Sequence, residues 1–294
     1  MTLSQNQNRE LAVTVEIQPA DSAGGIAQDK PEGKYAGKDK AGVECASARH
    51  IGTRAYQQDT VETGRSLDGA YFGILCDGMG GLDAGGLASN EAAKKLTEAL
   101  CGVDRIDDIP GFLVAQAHSI NHAIHTMPSG DGTYGAMGTT LAAAVIAGNS
   151  LYWLSVGDSR VYIVRGQEIV RATHDHNYAL ELDEQVRAGL LSEEEAAADA
   201  KRDALISFLG MEELRLIDYN PIAFALEPGD MVLLCSDGLY RTLNDEDILQ
   251  VITMHAGDLE ECARVLPLYA FDRAEGSHDN TSVVLLRYQN GKPV

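Results

Sequence analysis

Three apolar, strand-like stretches of the sequence are each followed by an aspartate: Asp77, Asp158 and Asp237. A fourth aspartate, Asp279, lies just before the last apolar stretch, residues 282–286. One aspartate beside a glycine is an ordinary turn signal. Four carboxylates delivered to neighbouring strand ends would instead repel one another strongly unless cations lay between them. The spacing therefore predicts a cation site built from strand ends.

Oxygen ligands of this kind select Mg²⁺ or Mn²⁺, and no cysteine or histidine stands where it would favour zinc. Two such ions about 4 Å apart can bind a water between them, lower its pKa and present hydroxide in line with a phosphoryl group. The carbonyl of Gly78 can be a further ligand, because a glycine lets the backbone approach an ion closely. We therefore expect phosphoester hydrolysis through a metal-bridged hydroxide.

The aspartates require a sheet scaffold, and its strands are predicted where apolar runs are separated by turn residues. These runs are residues 71–76, 141–146, 151–156, 161–164, Met231–Cys235 and 283–286. They are nearly continuous rather than alternating, which indicates that both faces of the sheets are covered. Helices are predicted where apolar residues recur every three or four positions, at 87–100, 111–127, 245–255 and Leu259–Arg273.

Two segments differ in character from this core. Residues 1–41 are rich in Gln, Gly, Lys and Asp and predict a flexible N-terminal tail, in which only residues 11–17 alternate as a short strand would. Residues 177–209 are charged and alanine-rich, and they contain a helix-capping signature at Ser192. We expect a catalytic domain over residues 42–290 that carries 177–209 as a flap-like insertion.

The overall charge excludes some partners. The 294 residues include 23 basic and 44 acidic ones, giving a net charge of −21. Such a protein repels nucleic acids and anionic membranes, so we expect neither as a partner. The five cysteines are odd in number and include no CxxC pair, which favours a reducing, cytoplasmic location. We expect no signal peptide and no membrane-spanning segment.

Six short motifs occur in order within residues 43–288. They are Arg54-Ala55-Tyr56-Gln57-Gln58-Asp59, Asp77-Gly78-Met79-Gly80-Gly81, Gly138-Thr139-Thr140, Gly157-Asp158-Ser159-Arg160, Ser236-Asp237-Gly238 and Asp279-Asn280. In this set the chain resembles the type 2C (PPM) metal-dependent protein serine/threonine phosphatases, especially the bacterial branch. The resemblance implies an α+β fold, a four-layer αββα sandwich of two antiparallel sheets flanked by helices. It also implies that the substrates are proteins phosphorylated by a serine/threonine kinase.

The same resemblance implies a role for each acidic residue of the motifs. Asp77 would bridge both core Mg²⁺ or Mn²⁺ ions, while Asp237 and Asp279 complete the first site. Asp59 would serve the second ion directly or through water. Asp158 resembles a ligand of a third, weaker ion found in bacterial members.

Arg54 stands five residues before Asp59, where the family places the arginine that holds the substrate phosphate. Its guanidinium can bind two phosphate oxygens at once. Two residues depart from the family pattern. Gln57 replaces an asparagine, which puts the usual support of Asp59 in question. Met79 replaces a histidine proposed as general acid in eukaryotic relatives, so a metal-bound water is expected to supply that proton instead.

The sequence also allows two other functions, a catalytically inactive binding module and a phosphatase of small molecules. A pseudoenzyme kept as a binding module would be expected to lack a metal carboxylate, whereas all five positions are aspartate. A phosphatase of small molecules would be expected to enclose its substrate in a pocket, whereas an Arg54 site beside a mobile insertion suits a flat protein surface. His118, His122 and His125 share a helical face and suggest metal ligands, but surface histidines are favoured because no acid or cysteine completes the set. The sequence does not indicate the partner kinase or the oligomeric state.

Overall fold

The computed structural model describes residues 13–16, 42–80, 84–129 and 132–289. Its strands, in chain order, are β1 (Val13–Glu16), β2 (Val43–His50), β3 (Asp59–Arg65), β4 (Tyr71–Gly80), β5 (Met137–Thr139), β6 (Leu141–Ala147), β7 (Ser150–Val156), β8 (Arg160–Arg165), β9 (Glu168–Arg171), β10 (Leu216–Tyr219), β11 (Phe224–Ala225), β12 (Met231–Cys235) and β13 (Thr281–Tyr288). Its helices are α1 (Ala84–Cys101), α2 (Ile109–His125), α3 (Ala179–Arg187), α4 (Glu193–Ala198), α5 (Asp237–Tyr240), α6 (Asp245–Met254) and α7 (Leu259–Arg273). Every strand and helix predicted from the sequence is present.

The strands form two antiparallel sheets. The first has the order β1-β10-β7-β6-β4-β3, with β5 paired to β4 and β11 to β7; the second has the order β2-β13-β12-β8-β9. Apolar residues fill the space between the sheets, while α1 and α2 cover the outer face of the first sheet and α6 and α7 that of the second. The predicted αββα sandwich is confirmed.

Each central strand is buried on both faces, as its unbroken apolar sequence predicts. In β4, Leu75 packs into the layer between the sheets, whereas Ile74 and Cys76 pack against the helices of the outer layer. In β12, Leu234 faces the other sheet and Cys235 faces the outer helices. Alternate residues of one strand thus serve two different cores.

The sequence predicts that β4 ends at Cys76, and this boundary is wrong. The strand continues to Gly80, because residues 78–80 pair with β5. As a result Asp77 lies within a paired strand, directly opposite Asp59 of β3. The strand that pairs with residues 78–80, β5, lies about sixty residues later in the sequence, so the apolar pattern alone could not show the extension.

The helix starts follow local capping chemistry. Asn244 and Asp258 directly precede the two predicted helices 245–255 and Leu259–Arg273, as N-caps do. They accept hydrogen bonds from the backbone N–H groups of Asp247 and Glu261 at 2.8 and 3.0 Å. Helix α2 starts two residues earlier than predicted, because Asp108 caps it and Pro110 occupies its first turn.

Residues 177–209, the flap segment, leave the second sheet after β9 and return to the first before β10. They contain the short helices α3 and α4, and the predicted capping box at Ser192 is present. At the far end of the segment, Leu209 and Thr139 of β5 exchange two backbone hydrogen bonds of 2.9 and 3.0 Å. The end of the flap segment is therefore fixed to a strand beside Asp77.

The short strand predicted within residues 11–17 is confirmed at Val13–Glu16. It pairs antiparallel with β10 at the edge of the first sheet. The other residues of the predicted tail, 1–12 and 17–41, lie outside the described residues, as do Gly81, Leu82 and Asp83 after β4. The division of the chain at residue 42 stays a prediction.

A buried ion pair joins β8 to the turn before β12. The Arg165 Nε and Nη2 atoms lie 2.9 and 2.5 Å from the two carboxylate oxygens of Asp230, whose side chain is 2% exposed. The backbone N–H of Glu227 donates a third hydrogen bond to this carboxylate at 2.8 Å. Removing the carboxylate would leave a guanidinium and an N–H group without their buried partner.

We expect Asp230→Ala to lower the free energy of unfolding by about 3 kcal/mol, and therefore the melting temperature by roughly 6–12 °C. Thermal and urea unfolding of the metal-free protein would measure both values. Glu261→Ala is the matched control, because Glu261 also makes a two-point pair, with Arg264, but both side chains are well exposed. A similar loss in both variants would contradict a specific role for the buried pair.

Candidate active site

One cleft of about 480 Å³ collects the residues predicted to do chemistry. Its wall includes Arg54, Asp77, Gly78, Asp158, Asp237 and Asp279. Asp59, the remaining predicted ligand, lies just beneath the cleft and is 1% exposed. The predicted residues come from five separate parts of the chain, and the meeting of the two sheets brings them together.

Asp59 is held from several sides. Its Oδ2 accepts a hydrogen bond of 2.9 Å from Ser236 Oγ, which itself accepts one of 2.9 Å from the N–H of Ser282. The N–H of Asp59 donates to Oε1 of Gln57 at 3.0 Å. Gln57 therefore does support Asp59, although the family pattern has asparagine there. The other carboxylate oxygen, Oδ1, is buried and has no hydrogen-bond partner among the described residues.

The backbone of Asp77 is clamped by two threonines. Its N–H donates to Thr140 Oγ1 at 2.9 Å, and its carbonyl accepts from the Thr140 N–H at 2.8 Å and from Thr139 Oγ1 at 2.9 Å. These bonds explain the Gly138-Thr139-Thr140 motif. They fix the main chain of Asp77 and leave its carboxylate free to face the cleft.

Two glycines are required by close backbone packing. A Cβ atom on Gly78 would lie 2.1 Å from the carbonyl oxygen of Gly85 in α1. Gly157 has a φ of 101°, and a Cβ there would lie 2.7 Å from Thr140 Cγ2. From the sequence, a glycine is expected at position 78 because it lets the backbone approach an ion closely. The structure adds a second cause, the contact with helix α1.

Asn280 holds the loop that carries Arg54. Its Nδ2 donates to the carbonyls of Ile51 and Tyr56 at 2.9 and 3.1 Å, and its Oδ1 accepts from the N–H of Gln58 at 2.7 Å. One asparagine side chain thus fixes three points of the loop. Because Asn280 directly follows Asp279, the same contacts place Arg54 beside Asp279.

Two arginines lie on the carboxylates of the cleft. Arg54 Nη2 forms an ion pair with Asp279 Oδ2. Arg241 Nε lies 2.9 Å from Asp237 Oδ2, and its Nη2 lies 3.3 Å from Asp158 Oδ2. Arg241 was not among the residues predicted from the sequence. The available signal was its position four residues after Asp237, which places both side chains on one face of a helical turn.

Crowding of the carboxylates changes their acidity. Burial raises the pKa of Asp77 well above its ordinary value, and the charges of Asp59 and Asp237 raise it further. Burial likewise raises the pKa of Asp59 to about 6 and that of Asp237 to about 7. Asp158 shows the same direction, again mainly because it is buried. Full ionisation of this cluster therefore requires cations.

The residues present fit a divalent metal. The donors are all oxygen atoms, as Mg²⁺ and Mn²⁺ prefer, and the partnerless Oδ1 of Asp59 is a buried acceptor that a bound cation would satisfy. In the part of the chain that the structure describes, no three Asp, Glu, His or Cys side chains are arranged as a closed ligand set. Arg54 and Arg241 hold three of the carboxylates instead, so metal binding requires these two guanidiniums to move.

A buried histidine connects the Asp158 loop to the flap segment. His176 is fully buried. Its ring Nδ1 accepts a hydrogen bond of 3.1 Å from the Gly157 N–H, and its backbone N–H donates to the Gly157 carbonyl at 2.9 Å. The N–H of Ile206 donates to the His176 carbonyl at 3.0 Å. This agrees with a structural role for the His174-Asp175-His176 segment.

The remaining histidines do not join the cleft. His122 is exposed, while His118 and His125 are half-buried on α2. His278, next to Asp279, is buried, and its Nε2 lies 2.8 Å from Thr281 Oγ1. It lines a neighbouring cleft rather than the one around Asp77.

Comparison with known proteins agrees with this geometry. The profile of protein phosphatase 2C matches residues 47–266. The chain belongs to the protein phosphatase 2C family. The protein phosphatase PhpP of Streptococcus pneumoniae is 31% identical to it over 235 residues, which cover 79% of this chain and 92% of PhpP.

Two solved phosphatases show the same fold. The S. agalactiae serine/threonine phosphatase superposes with a TM-score of 0.73 at 31% identity, covering 83% of this chain and 99% of that one. The catalytic domain of the serine/threonine phosphatase PstP, solved with two manganese ions, has a TM-score of 0.65 at 28% identity, covering 84% and 99%.

The predicted enzyme class, a protein serine/threonine phosphatase, is thereby confirmed for this phosphatase 2C chain. The relatives also agree with a metal-dependent reaction. Among the described residues, no helix has the length and apolar character to span a membrane.

His176 makes the stability of the phosphatase sensitive to acid. Burial lowers its pKa from 6.5 to about 4. Because the folded pKa lies below the unfolded one, the unfolded chain takes up a proton first as the pH falls. The stabilisation is complete above the unfolded pKa of 6.5 and is lost as the pH falls towards 4. The loss from this group is on the order of 3 kcal/mol.

We expect His176→Asn to unfold more easily than the wild type at pH 7.5, with a gap that narrows as the pH falls to 4.5. Melting temperatures of the metal-free proteins across this range would measure the gap. His122→Asn, at an exposed position on α2, is the control and should keep the wild-type profile. Parallel curves for wild type and His176→Asn would show that His176 is not the acid-sensitive group.

Proposed function

We propose that this phosphatase 2C protein hydrolyses phosphoserine and phosphothreonine on proteins with two core Mg²⁺ or Mn²⁺ ions, held by Asp77, Gly78, Asp237, Asp279 and Asp59. The observation that carries the proposal is the meeting of these acidic groups with Arg54 around one cleft. Bound there, divalent ions would neutralise the carboxylates and acidify a water for attack on phosphorus. PstP, a relative with the same fold, has been solved with two manganese ions.

The protein's own residues then prepare the reaction. The hydrogen bonds from Thr139 and Thr140 keep the main chain that carries the Asp77 carboxylate in place while charge develops on the phosphate. Ser236 orients Asp59 from below. Such preorganisation means that little rearrangement is needed when the phosphate reacts.

Arg54 is the proposed phosphate-binding residue. Its guanidinium, with a 55% exposed side chain, lies on Asp279 at the cleft wall. With the charge of Asp279 balanced by a bound cation, the Arg54 guanidinium would be able to turn to two oxygens of the substrate phosphate. Met79, which lines the cleft, has no proton to donate. We therefore assign protonation of the leaving serine oxygen to water.

The shape of the site supports a protein substrate. Asp203, Leu205 and Phe208 of the flap segment line the main cleft. A second cleft of about 490 Å³ shares Arg54, Asp237, Arg241 and Asp279 with it. Two joined clefts form a trough for an extended peptide, whereas a small phosphate ester would be expected to bind in an enclosed pocket.

Further parts of the proposal concern the cellular setting. We propose that the substrates are proteins phosphorylated by a serine/threonine kinase and that the enzyme works in the cytoplasm. The five cysteines are free thiols, as a reducing compartment would keep them. A third, weaker divalent ion is proposed at Asp158, whose carboxylate lies on the same cleft wall.

We expect EDTA to abolish phosphopeptide hydrolysis and Mn²⁺ or Mg²⁺ to restore it. Asp77→Asn should lose at least about 10³-fold in kcat/KM at any metal concentration, because it removes a carboxylate from the reacting centre. Phosphate release from a phosphoserine peptide measures this, and Asp104→Asn, an exposed acidic position, is the control. Activity that persists in excess EDTA would overturn the metal-dependent mechanism.

Arg54→Ala should raise the KM for a phosphopeptide by roughly 10- to 100-fold and leave kcat less affected, because it removes a charge-assisted contact made on binding. Arg54→Lys keeps the charge but loses the two-point geometry, so an intermediate KM is expected. Arg105→Ala is the control, because Arg105 is far more exposed and its ion pair with Asp107 lies at the surface. A loss confined to kcat would contradict a phosphate-binding role.

A further inference from the structure

Arg241 is a cation built into the cleft. It follows α5, one helical turn after Asp237, and its Nε lies 2.9 Å from Asp237 Oδ2. Its Nη2 lies 3.3 Å from Asp158 Oδ2. The two carboxylate side chains are 16% and 6% exposed, whereas that of Arg241 is 46% exposed. The guanidinium thus covers the carboxylate pair from the solvent side.

We propose that Arg241 competes with a divalent cation for the Asp158–Asp237 carboxylate pair and is the counter-ion of that pair when the ion concentration is low. The proposal rests on the assignment of these aspartates as metal ligands. It adds a regulatory element to that site, since occupancy of the weaker ion position would depend on displacing a side chain of the same chain.

Charge and geometry support this competition. Two largely buried carboxylates on one cleft wall repel each other unless a cation lies between them. A guanidinium offers separate N–H groups to each and keeps its charge at every physiological pH. Since it is attached beside Asp237, it acts at a high effective concentration. A divalent ion carries twice the charge, and the half-exposed arginine has room to swing into the neighbouring cleft that it also lines.

The backbone at Arg241 is held against the Asp158 loop by the preceding residue. The hydroxyl of the preceding Tyr240 donates to the Asp158 carbonyl at 3.0 Å. The Arg160 guanidinium lies 3.4 Å from the centre of the Tyr240 ring and makes a two-point pair with Asp175 at 2.9 and 2.7 Å. The backbone of Arg241 is therefore fixed while its side chain is free to leave.

The competition would lower the apparent affinity of the carboxylate pair for a divalent ion by a measurable factor. If the guanidinium occupies the carboxylate pair nine-tenths of the time, the apparent affinity of a divalent ion for the pair falls about tenfold. Arg241→Gln removes the competing charge at similar side-chain length, whereas Arg241→Lys keeps a charge there.

Calorimetric titration of the metal-free proteins with MnCl₂ tests this. In Arg241→Gln we expect the weak binding event to tighten about tenfold, or to appear if the wild type shows none. The tight events, which Asp77, Asp59 and Asp279 also hold, should change less. The melting temperature in EDTA should fall, because the carboxylate pair has lost its counter-ion. Arg241→Lys should stay near the wild type in both measurements. Adding Asp158→Asn to Arg241→Gln should abolish the tightened event.

The opposite results are equally clear. The inference would be overturned if Arg241→Gln kept the tight Mn²⁺ binding events but its weak event were unchanged, weakened or absent. The proposed function would still stand in that case. A tightened event that survives Asp158→Asn would also overturn it, because the ion would then bind elsewhere. A wild type that shows no tight event would overturn the proposed metal site together with the inference.

Discussion

The mutual repulsion of carboxylates at the junction of the two sheets is the constraint on which the site depends. Asp59 and Asp77 lie opposite each other on adjacent strands, and burial together with neighbouring charge raises the pKa of both. Such a cluster is stable only with protons or cations on it. In the described structure the cations are Arg54 and Arg241. The cleft is therefore poised to exchange internal cations for metal ions.

The parts of the fold that could be predicted are those encoded locally. Both faces of β4 and β12 are buried, and a strand of this kind must be apolar at nearly every position. A polar residue directly after such an apolar run is then conspicuous, which is why Asp77 and Asp237 could be identified from the sequence. Helix caps such as Asn244 were predictable for the same reason, since the capped groups lie within three residues.

What could not be predicted depends on contacts distant in sequence. The extension of β4 needs β5, about sixty residues later. The support of Asp59 by Ser236, and of the Arg54 loop by Asn280, joins residues more than 170 positions apart. The order of the motifs implied that these residues share a site, but it did not indicate which atoms form hydrogen bonds with each other. Arg241 was missed because an arginine after an Asp-Gly turn ordinarily faces solvent.

In these long-range contacts, neutral groups fix the backbone of the site, whereas charged groups balance the carboxylates. Thr140 and Asn280 fix the backbone of Asp77 and of the Arg54 loop through hydrogen bonds that carry no net charge. The position of the carboxylates therefore does not depend on which cation lies among them. If arginine pairs held the fold of the cleft together, metal binding would have to break it. Because neutral hydrogen bonds carry that task, the guanidiniums can leave while the aspartates stay in place.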